Sequence, residues 1–394
     1  MTFWVSILAF IACLMAGALL ARTRHFAYLQ QRPARYDTLD GLRGFLAIAV
    51  LCHHFCITWY WKQNLGWERP PEIYYQNCGK IGVALFFMIT GFLFIARLLN
   101  SGGRIEWLRL FESRVFRIVP LYMFALLVIS LVVFYQSGGH LVSDMPTLLK
   151  EYVRWLVFQG GTLNSYADTR LVIAGVDWTL RYEWLFYLSL PLVAVLLFRL
   201  RGIGVALLVA LVGVSYLWPT ELINIETQYF VLFLVGGLGA WLYPRTASLR
   251  PMIASRAASW LVALLLAAIL LYPHTLDSWH LLMVSACFLL LACGNPLFGL
   301  LMRPGAKVLG EISYSLYLLH GLVLYGLFTL PAVSITGMPI NVFAWWLPLV
   351  AVLVVGVSAL SFLLIEKPWM QYGRRSPFTL QLQRVQTWWT ARTQ

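Results

Sequence analysis

The feature of this 394-residue chain that most constrains its fold is a series of apolar stretches, each about as long as a membrane-spanning helix. An α-helix of about 20 apolar residues crosses the hydrocarbon core of a bilayer. Hydrophobic residues make up 60% of the chain and charged residues only 11%, whereas about 25% of the residues in a soluble domain are charged. This composition predicts an all-α membrane protein.

The apolar stretches predict a polytopic bundle of about eleven transmembrane helices. They lie at 2–21, 42–61, 80–99, 118–136, 178–198, 203–218, 227–243, 257–272, 279–301, 314–330 and 343–365. A shorter stretch, 148–158, contains three charged residues and is predicted to be an interfacial helix. Amphipathic stripes in 105–118 and 378–389 predict two further helices on the cytoplasmic surface.

The basic residues are distributed unevenly between the loops. If residues 22–41 are cytoplasmic and the chain alternates from there, 22 of the 29 Lys and Arg residues lie on the cytoplasmic side. The positive-inside rule then places the N-terminus outside and the C-terminus in the cytoplasm. Because orientation accounts for the net charge of +13, no nucleic-acid partner is predicted. The first stretch has Arg22 and Arg24 after it and no basic residue before it, which indicates a retained anchor and not a signal peptide.

Cysteine spacing and short motifs indicate no familiar soluble-enzyme site. Five of the six cysteines lie in apolar stretches and Cys78 lies at the edge of one, so neither a disulfide framework nor a metal site is predicted. No nucleophile-elbow, Walker or dinucleotide pattern is present. The ionisable residues inside the predicted spans are therefore the candidates for function.

Arg43 and His54 are eleven residues apart in the second predicted span, so they point from the same helix face at an axial separation of about 16 Å. Ala47 and Val50 lie between them on that face and are small. This arrangement fits a long thioester ligand with phosphates near Arg43 and its acyl end near His54. The alternative is a packed core histidine and an arginine that only sets membrane orientation. His53 points about 100° away and is a weaker candidate.

Glu183 is the only carboxylate well inside a predicted span, at a depth similar to that of His54. A carboxylate beside a histidine fixes its tautomer and stabilises the imidazolium, as a general base that acts on a hydroxyl requires. We therefore expect Glu183 to orient His54. The alternative is a structural pair between Glu183 and another polar group.

Two further groups flank these residues. Arg114 and Arg117 stand one turn apart and can grip phosphate oxygens, or equally the head groups of anionic lipids. Ser313, Tyr317 and His320 share one helix face. His320 is expected to lie too shallow to reach His54 without helix distortion, so these three residues are predicted to line a ligand or to be structural.

Together these positions resemble the acyltransferase 3 family. The segment Leu39-Asp40-Gly41-Leu42-Arg43-Gly44 followed by His54 is similar to its Arg-x10-His signature. Further landmarks occur in the same order and span residues 37–370: Arg114-x-x-Arg117-Ile118-x-Pro120, Trp178-Thr179-Leu180-x-x-Glu183, Ser313-Tyr314-Ser315-x-Tyr317-x-x-His320 and Glu366-x-Pro368. The sequence departs from the family at Ser113, Thr179 and Arg181, and by the span that precedes the core.

The resemblance implies a ten-helix core, here 37–370, preceded by an extra helix and basic linker in 1–36 and followed by a cytoplasmic tail in 371–394. It implies an enzyme of the bacterial inner membrane, with a periplasmic N-terminus. The donor would be cytoplasmic acyl-CoA, and acetyl-CoA in particular. The acceptor would be a hydroxyl of a surface or exported polysaccharide or of a glycolipid, and no metal would be needed. It also implies central roles for Arg43 and His54.

The hypothesis that follows has donor phosphates held by Arg114, Arg117 and Arg43, and His54 acting either as a general base or as a carrier of the acyl group. The competing hypothesis is a transporter or flippase, in which the same polar residues line a permeation path. A transporter would have broken spans at matching places in two halves of the chain, and no such symmetry is visible in the sequence. Neither the acceptor's identity nor the oligomeric state is predicted.

Overall fold

The computed structural model describes residues 3–31, 36–218, 225–274, 276–330 and 334–375. All regular elements in these ranges are helices. The α-helices are α1 (Phe3–Ala21), α2 (Tyr28–Gln31), α3 (Asp37–Lys62), α4 (Ile73–Asn100), α5 (Trp107–Gln136), α6 (Met145–Leu156), α7 (Trp178–Phe198), α8 (Arg201–Leu217), α9 (Phe230–Arg245), α10 (Arg250–Ile253), α11 (Arg256–Leu271), α12 (Ser278–Ala292), α13 (Pro304–Glu311), α14 (Ser313–Phe328), α15 (Ile340–Ala344), α16 (Leu347–Ser361) and α17 (Lys367–Arg374). The predicted all-α class is confirmed.

The number of membrane spans is smaller by strict criteria than the predicted eleven. In the described ranges, six helical segments are long and apolar enough to cross a bilayer, and up to eight if two bent helix pairs each count as one span. Three further predicted spans correspond to α8, α11 and α12, which have 17, 16 and 15 residues. These are shorter than the roughly 20 residues of an ordinary crossing, so the count of eleven is not confirmed.

The predicted surface helix at 105–118 is wrong as a separate element. Residues 107–136 form one continuous helix, α5, which contains Pro120 in its interior. Within the supposed apolar stripe, Leu108 and Val115 are exposed while the neighbouring Leu110 is buried. The helix continues because its second half is apolar enough to be held by packing, which outweighs the hydrogen bond that proline removes.

Of the other two predicted surface helices, only the first lies in the described residues. The stretch at 148–158 lies largely in α6, which carries Glu151 and Trp155 on its buried side. The segment 378–389 lies outside the described residues. All six cysteines are buried free thiols, which confirms their assignment to the core.

Helices α3 and α4 form the centre of the bundle, and α13 and α14 pack against α3. The additional N-terminal helix α1 packs closely on α13, because Gly17 and Gly305 allow the two backbones to meet. Between α13 and α14 the chain bends by 70°. This bend sets the direction in which α14 crosses the interior beside α3.

The start of α3 and the end of α13 approach each other backbone to backbone. A Cβ atom on Gly310 would overlap the carbonyl oxygen of Asp40. Arg43, one turn after Asp40, donates from Nη2 to the carbonyl oxygen of Gly310 at 3.3 Å. The position of the Arg43 guanidinium therefore depends on this close approach.

We predict that Gly310→Ala destabilises the protein by about 1–3 kcal/mol, the usual cost of overpacking. Alanine forms helices better than glycine by about 1 kcal/mol, so a loss would report the steric overlap and not helix propensity. The measurement is the thermal unfolding of the full chain in detergent. The control is Gly213→Ala in α8, where an added Cβ would meet nothing within 4 Å. Unfolding of the two variants at the same temperature would contradict the prediction.

Candidate functional site

Two histidines from different helices, the fully buried His320 and the half-buried His54, are in direct contact in the bundle interior. Nδ1 of His54 on α3 and Nε2 of His320 on α14 are 2.9 Å apart. The two rings are close to parallel, with an interplanar angle of 27° and centroids 5.0 Å apart. Gly321, which follows His320, allows the backbone of the 3-10 helix Ala167–Ile173 to pack directly on α14.

The hydrogen bonds fix the tautomers of this pair. Nδ1 of His320 lies 3.1 Å from the carbonyl oxygen of Leu316, and a carbonyl can only accept, so Nδ1 carries the hydrogen. In the neutral ring, Nε2 of His320 is then an acceptor, and Nδ1–H of His54 donates to it. The remaining nitrogen, Nε2 of His54, therefore keeps its lone pair. This is the state that a base or a nucleophile needs.

The expectation that His320 lies too shallow to reach His54 is wrong. It assumed a single straight helix that begins at residue 314, whereas the chain enters through α13 and turns by 70° before α14. His320 is fully buried, with an exposed fraction of 0%.

The expected pair of Glu183 and His54 does not form. Glu183 accepts a hydrogen bond from the Tyr187 hydroxyl at 2.6 Å, and in the described residues His320 takes the position beside His54 that was assigned to a carboxylate. Nor is Glu183 the only acid in a long apolar segment. Glu183 is half-buried, whereas Glu366 is fully buried and accepts a short hydrogen bond from Ser315.

The basic residues at the other end of the site converge on one cavity. We call it the arginine cavity. It has a volume of about 130 Å³, and Arg43, Arg114, Arg117 and Glu183 line it together with aromatic and aliphatic side chains of α4, α7 and α14. Three guanidinium groups face one carboxylate there, so the cavity favours an anionic ligand. Of the weaker candidates, Ser313 also lines this cavity.

The three arginines are held by different partners. Arg117 donates from Nη1 to Sδ of Met370 at 3.3 Å. Arg43 forms an ion pair with Asp40 at 3.0 Å. Arg114 donates to the hydroxyl of Ser113 at 3.2 and 3.3 Å, and its guanidinium lies 5.4 Å from the centre of the Phe94 ring. These contacts leave several guanidinium N–H groups for a ligand, since each arginine has five donors.

A second cavity, which we call the histidine cavity, lies beside the first. Its volume is about 260 Å³ and its lining includes Val50, His53 and His54. Val83 and Tyr317 line both this cavity and the arginine cavity. Val83 and Tyr317 therefore lie where the two cavities meet, a place that we call the neck.

The predicted apolar strip from Arg43 to His54 is only half present. Val50 lines the histidine cavity, but Ala47 is buried in the core cluster that also contains Val5 and Ala9 of α1. The side chains shared by the two cavities, Val83 and Tyr317, come from α4 and α14 instead. The hydroxyl of Tyr317 is fixed there by Thr179 at 2.9 Å and by the carbonyl oxygen of Val176 at 3.3 Å.

A third and larger cavity adjoins the histidine cavity at His54. This wide cavity has a volume of about 760 Å³ and is shared with the histidine cavity through His53, His54 and Trp178. Trp67 lies in it with its ring stacked 6.1 Å from the ring of His54, and Arg69 and Arg170 contribute cations.

Sequence reasoning did not identify the loop residues of the wide cavity or Lys80 of the histidine cavity. Trp67 and Arg69 lie between predicted spans, where no periodicity marks them. Lys80 is the first residue of a predicted span and was therefore treated as an end residue. An ionisable side chain at the start of a long apolar stretch was the one available signal.

A family model decides what the chain is related to. The model of the acyltransferase domain of the acyltransferase 3 family matches residues 36–363. The chain belongs to the acyltransferase 3 family. It is therefore a membrane acyltransferase. The matched range contains Arg43, His54, Glu183 and His320, the residues that line or form the cavities described above.

Individual relatives are distant but extend over most of the chain. "Nodulation protein 10" of Rhizobium leguminosarum bv. viciae is 25% identical over 365 residues, which are 85% of this chain and 93% of that protein. "Putative acetyltransferase ORF330" of the Acidianus two-tailed virus is 26% identical over 304 residues, 72% of this chain and 82% of that protein. No solved structure matches the chain.

A buried acid next to the wide cavity makes the stability of the protein depend on pH. Asp177, just before α7, is fully buried and pairs with Arg170 at 3.5 Å. Burial raises the pKa of its carboxyl from 3.8 to about 6, although Arg170 and Arg181 oppose the shift. Over this pH range the folded protein holds a proton that the unfolded chain releases. Stability is therefore lost as the pH rises from about 4 to about 6.

We predict that Asp177→Asn removes this pH dependence, because the amide does not ionise. Relative to wild type, the variant gains stability as the pH rises from 4.5 to 7, by at most about 3 kcal/mol. Scanning fluorimetry of the purified full chain at several pH values measures the difference. The exposed Asp168→Asn is the control and is expected to follow wild type. Parallel curves for Asp177→Asn and wild type would show the prediction to be wrong.

Proposed function

We propose that this chain is an O-acyltransferase, and specifically an O-acetyltransferase, that moves the acyl group of acyl-CoA to a hydroxyl of a surface or exported polysaccharide or glycolipid. The observation that carries the proposal is the position of His54. His54 lines both the histidine cavity and the wide cavity, and its Nε2 is unprotonated. The histidine cavity in turn adjoins the arginine cavity. The acetyl donor is also suggested by the name of the viral relative.

The arginine cavity is the proposed site for the phosphates of acyl-CoA. Arg43, Arg114 and Arg117 supply the charge, and the neck leads from there to His54. A pantetheine arm is a thin, mostly apolar chain, which suits a passage lined by Val83 and the Tyr317 ring. We place this end of the bundle in the cytoplasm of a bacterial cell and the N-terminus in the periplasm, because acyl-CoA is cytoplasmic and the basic loops gather on that side.

The wide cavity is the proposed acceptor site. Trp67 and Trp178 offer flat faces against which the C–H faces of a sugar ring can pack. Glu68 and Arg69 offer polar groups for its hydroxyls. An acceptor hydroxyl in this cavity can approach His54 while the thioester lies in the histidine cavity.

The proposed reaction is a direct transfer. Nε2 of His54 takes the proton of the acceptor hydroxyl as the oxygen attacks the thioester carbonyl carbon. The C–S bond of the resulting tetrahedral intermediate then breaks, and the imidazolium returns the proton to the departing thiolate. His320 is a positioning residue, because its Nε2 holds Nδ1–H of His54 and shares the positive charge that develops on that ring.

The alternative of a transporter or flippase gains no support from the two bent helix pairs. The bends follow Arg245 and Glu311, so both lie in the second half of the chain. A transporter built from repeats would place them at corresponding positions of two halves.

We predict that His54→Ala abolishes transfer and that His320→Ala lowers kcat by about 10²-fold, in the range for loss of a group that supports acid–base catalysis. For His320→Ala the KM for acetyl-CoA is expected to change little, since His320 does not line the arginine cavity. Transfer of labelled acetyl groups to cell-surface glycan is the assay, and the exposed His140→Ala is the control. Measurable transfer by His54→Ala would refute the role of His54, and a wild-type kcat in His320→Ala would refute the positioning role.

We predict that Arg114→Gln and Arg117→Gln each weaken the binding of coenzyme A by about tenfold, equivalent to about 1.4 kcal/mol for a lost charge-assisted contact. Calorimetry of the detergent-purified protein at two salt concentrations measures this, and wild-type binding should weaken at higher salt. Arg109→Gln is a matched control on the same helix, since its side chain is 45% exposed and points away from the cavity. An equal loss in Arg109→Gln would attribute the effect to surface charge and not to the site.

A further inference from the structure

A fourth cavity, which we call the cation cavity, lies beside the histidine cavity and has no part in the reaction described so far. Its volume is about 140 Å³, and its lining includes Arg69, Lys80, Glu226 and Tyr229. Arg69 also lines the wide cavity, while Lys80, Glu226 and Tyr229 also line the histidine cavity. The cation cavity therefore shares side chains with both cavities that His54 lines.

The two cations of this cavity face a single carboxylate, that of Glu226, in the part of the chain that the structure describes. Lys80 has one long hydrogen bond there, to the hydroxyl of Tyr229 at 3.5 Å; it is repelled by Arg69 and attracted by Glu226. The one carboxylate of the lining, that of Glu226, accepts instead from the amide of Gln228 at 2.7 Å. Neither Lys80 nor Arg69 forms an ion pair within the described ranges.

Two cations that share one carboxylate leave a net positive charge in a small cavity, and a further anion between the cations would lower the free energy of the protein. Lys80 is also half-buried on an apolar helix, where an unpaired ammonium loses hydration without compensation. A carboxylate or a phosphate in the cation cavity would remove both penalties. Arg69 would supply a planar fork of donors and Lys80 a point charge.

We propose that the cation cavity is a subsite for an anionic group of the acceptor, a carboxylate or a phosphate, so that the acceptor is an acidic saccharide. This inference rests on the proposed function, in which the acceptor occupies the neighbouring wide cavity. The sugar ring lies against Trp67 and Trp178, its anionic group is held by Arg69 and Lys80, and a hydroxyl of the same or the adjacent sugar faces His54. Arg69 and Lys80 are thus specificity residues and take no part in proton transfer.

The test compares three probes on the purified full chain. They are a linear tetrasaccharide of hexuronic acids, the same tetrasaccharide with its carboxyl groups reduced to alcohols, and a hexose monophosphate. The reduced tetrasaccharide matches the acidic one in size and in its ring hydroxyls and has an uncharged CH2OH group in place of each carboxylate, so the comparison reports the charge. Binding of each probe, and separately of coenzyme A, is measured by thermophoresis for wild type, Arg69→Gln, Lys80→Met, Lys80→Arg and the control Lys150→Gln, which removes an exposed cation of α6.

We expect wild type to bind the acidic tetrasaccharide at least about tenfold more tightly than the reduced one, the effect of one good charge-assisted contact. Lys80→Met and Arg69→Gln should reduce that preference to about twofold or less, Lys80→Arg should retain most of it, and Lys150→Gln should leave it unchanged. Coenzyme A binding should be the same in all of them, which also shows that the variants are folded. Tighter binding of the hexose monophosphate would identify phosphate as the anion.

Equal binding of the acidic and reduced tetrasaccharides by wild type, or failure of both anionic probes to bind, would overturn the inference. So would an unchanged preference in Lys80→Met. Loss of coenzyme A binding in Lys80→Met would assign the cations to the donor. If wild type discriminates between the tetrasaccharides but does not bind coenzyme A, the anionic subsite stands and the proposed acyl-CoA function fails.

Discussion

The structure depends on one contact between two imidazole rings. His54 and His320 come from helices far apart in sequence, and their hydrogen bond is possible only because the chain bends between α13 and α14. The carbonyl oxygen of Leu316 sets the tautomer of the second ring, and through it that of the first. A backbone group thus determines which nitrogen of His54 is basic, with no carboxylate in contact with either ring in the described residues. A ligand in the histidine cavity or the wide cavity can meet an unprotonated nitrogen of His54 only because of this arrangement.

The distribution of charge around the contact divides the molecule into two ends. The arginine cavity gathers cations on one side of the neck, and a mixed set of cations, carboxylates and indole rings surrounds the cavities on the other side. Ionisable side chains inside an apolar bundle raise the free energy of the folded protein, so they are found mainly where they have a function. Here they occur where cavities require them, while faces such as that of α1 present Leu and Met side chains outward.

Much of the fold could be predicted from the sequence, because long apolar runs have few solutions in a bilayer. Every predicted span corresponds to a helix, yet the lengths of α8, α11 and α12 could not be predicted, since they depend on where turns end and not on composition. The alignment of Arg43 and His54 follows from helical geometry alone. The partner of His54 does not, because it required the angle between α13 and α14. A hydropathy window treats that segment as one straight helix. The sequence therefore indicated Glu183, and not His320, as the partner of His54.

The neck of Val83 and Tyr317 has an electrical consequence. A membrane at 100 mV imposes about 2.3 kcal/mol on each charge that crosses it, but the proposed exchange sends an acyl group one way and a hydrogen the other, both without net charge. The multiply ionised nucleotide end of the donor never needs to traverse the field. The rate of an enzyme that works by the proposed exchange would therefore be independent of the membrane potential. The ring of Tyr317, which lies where the two cavities meet, would hinder the passage of ions between them.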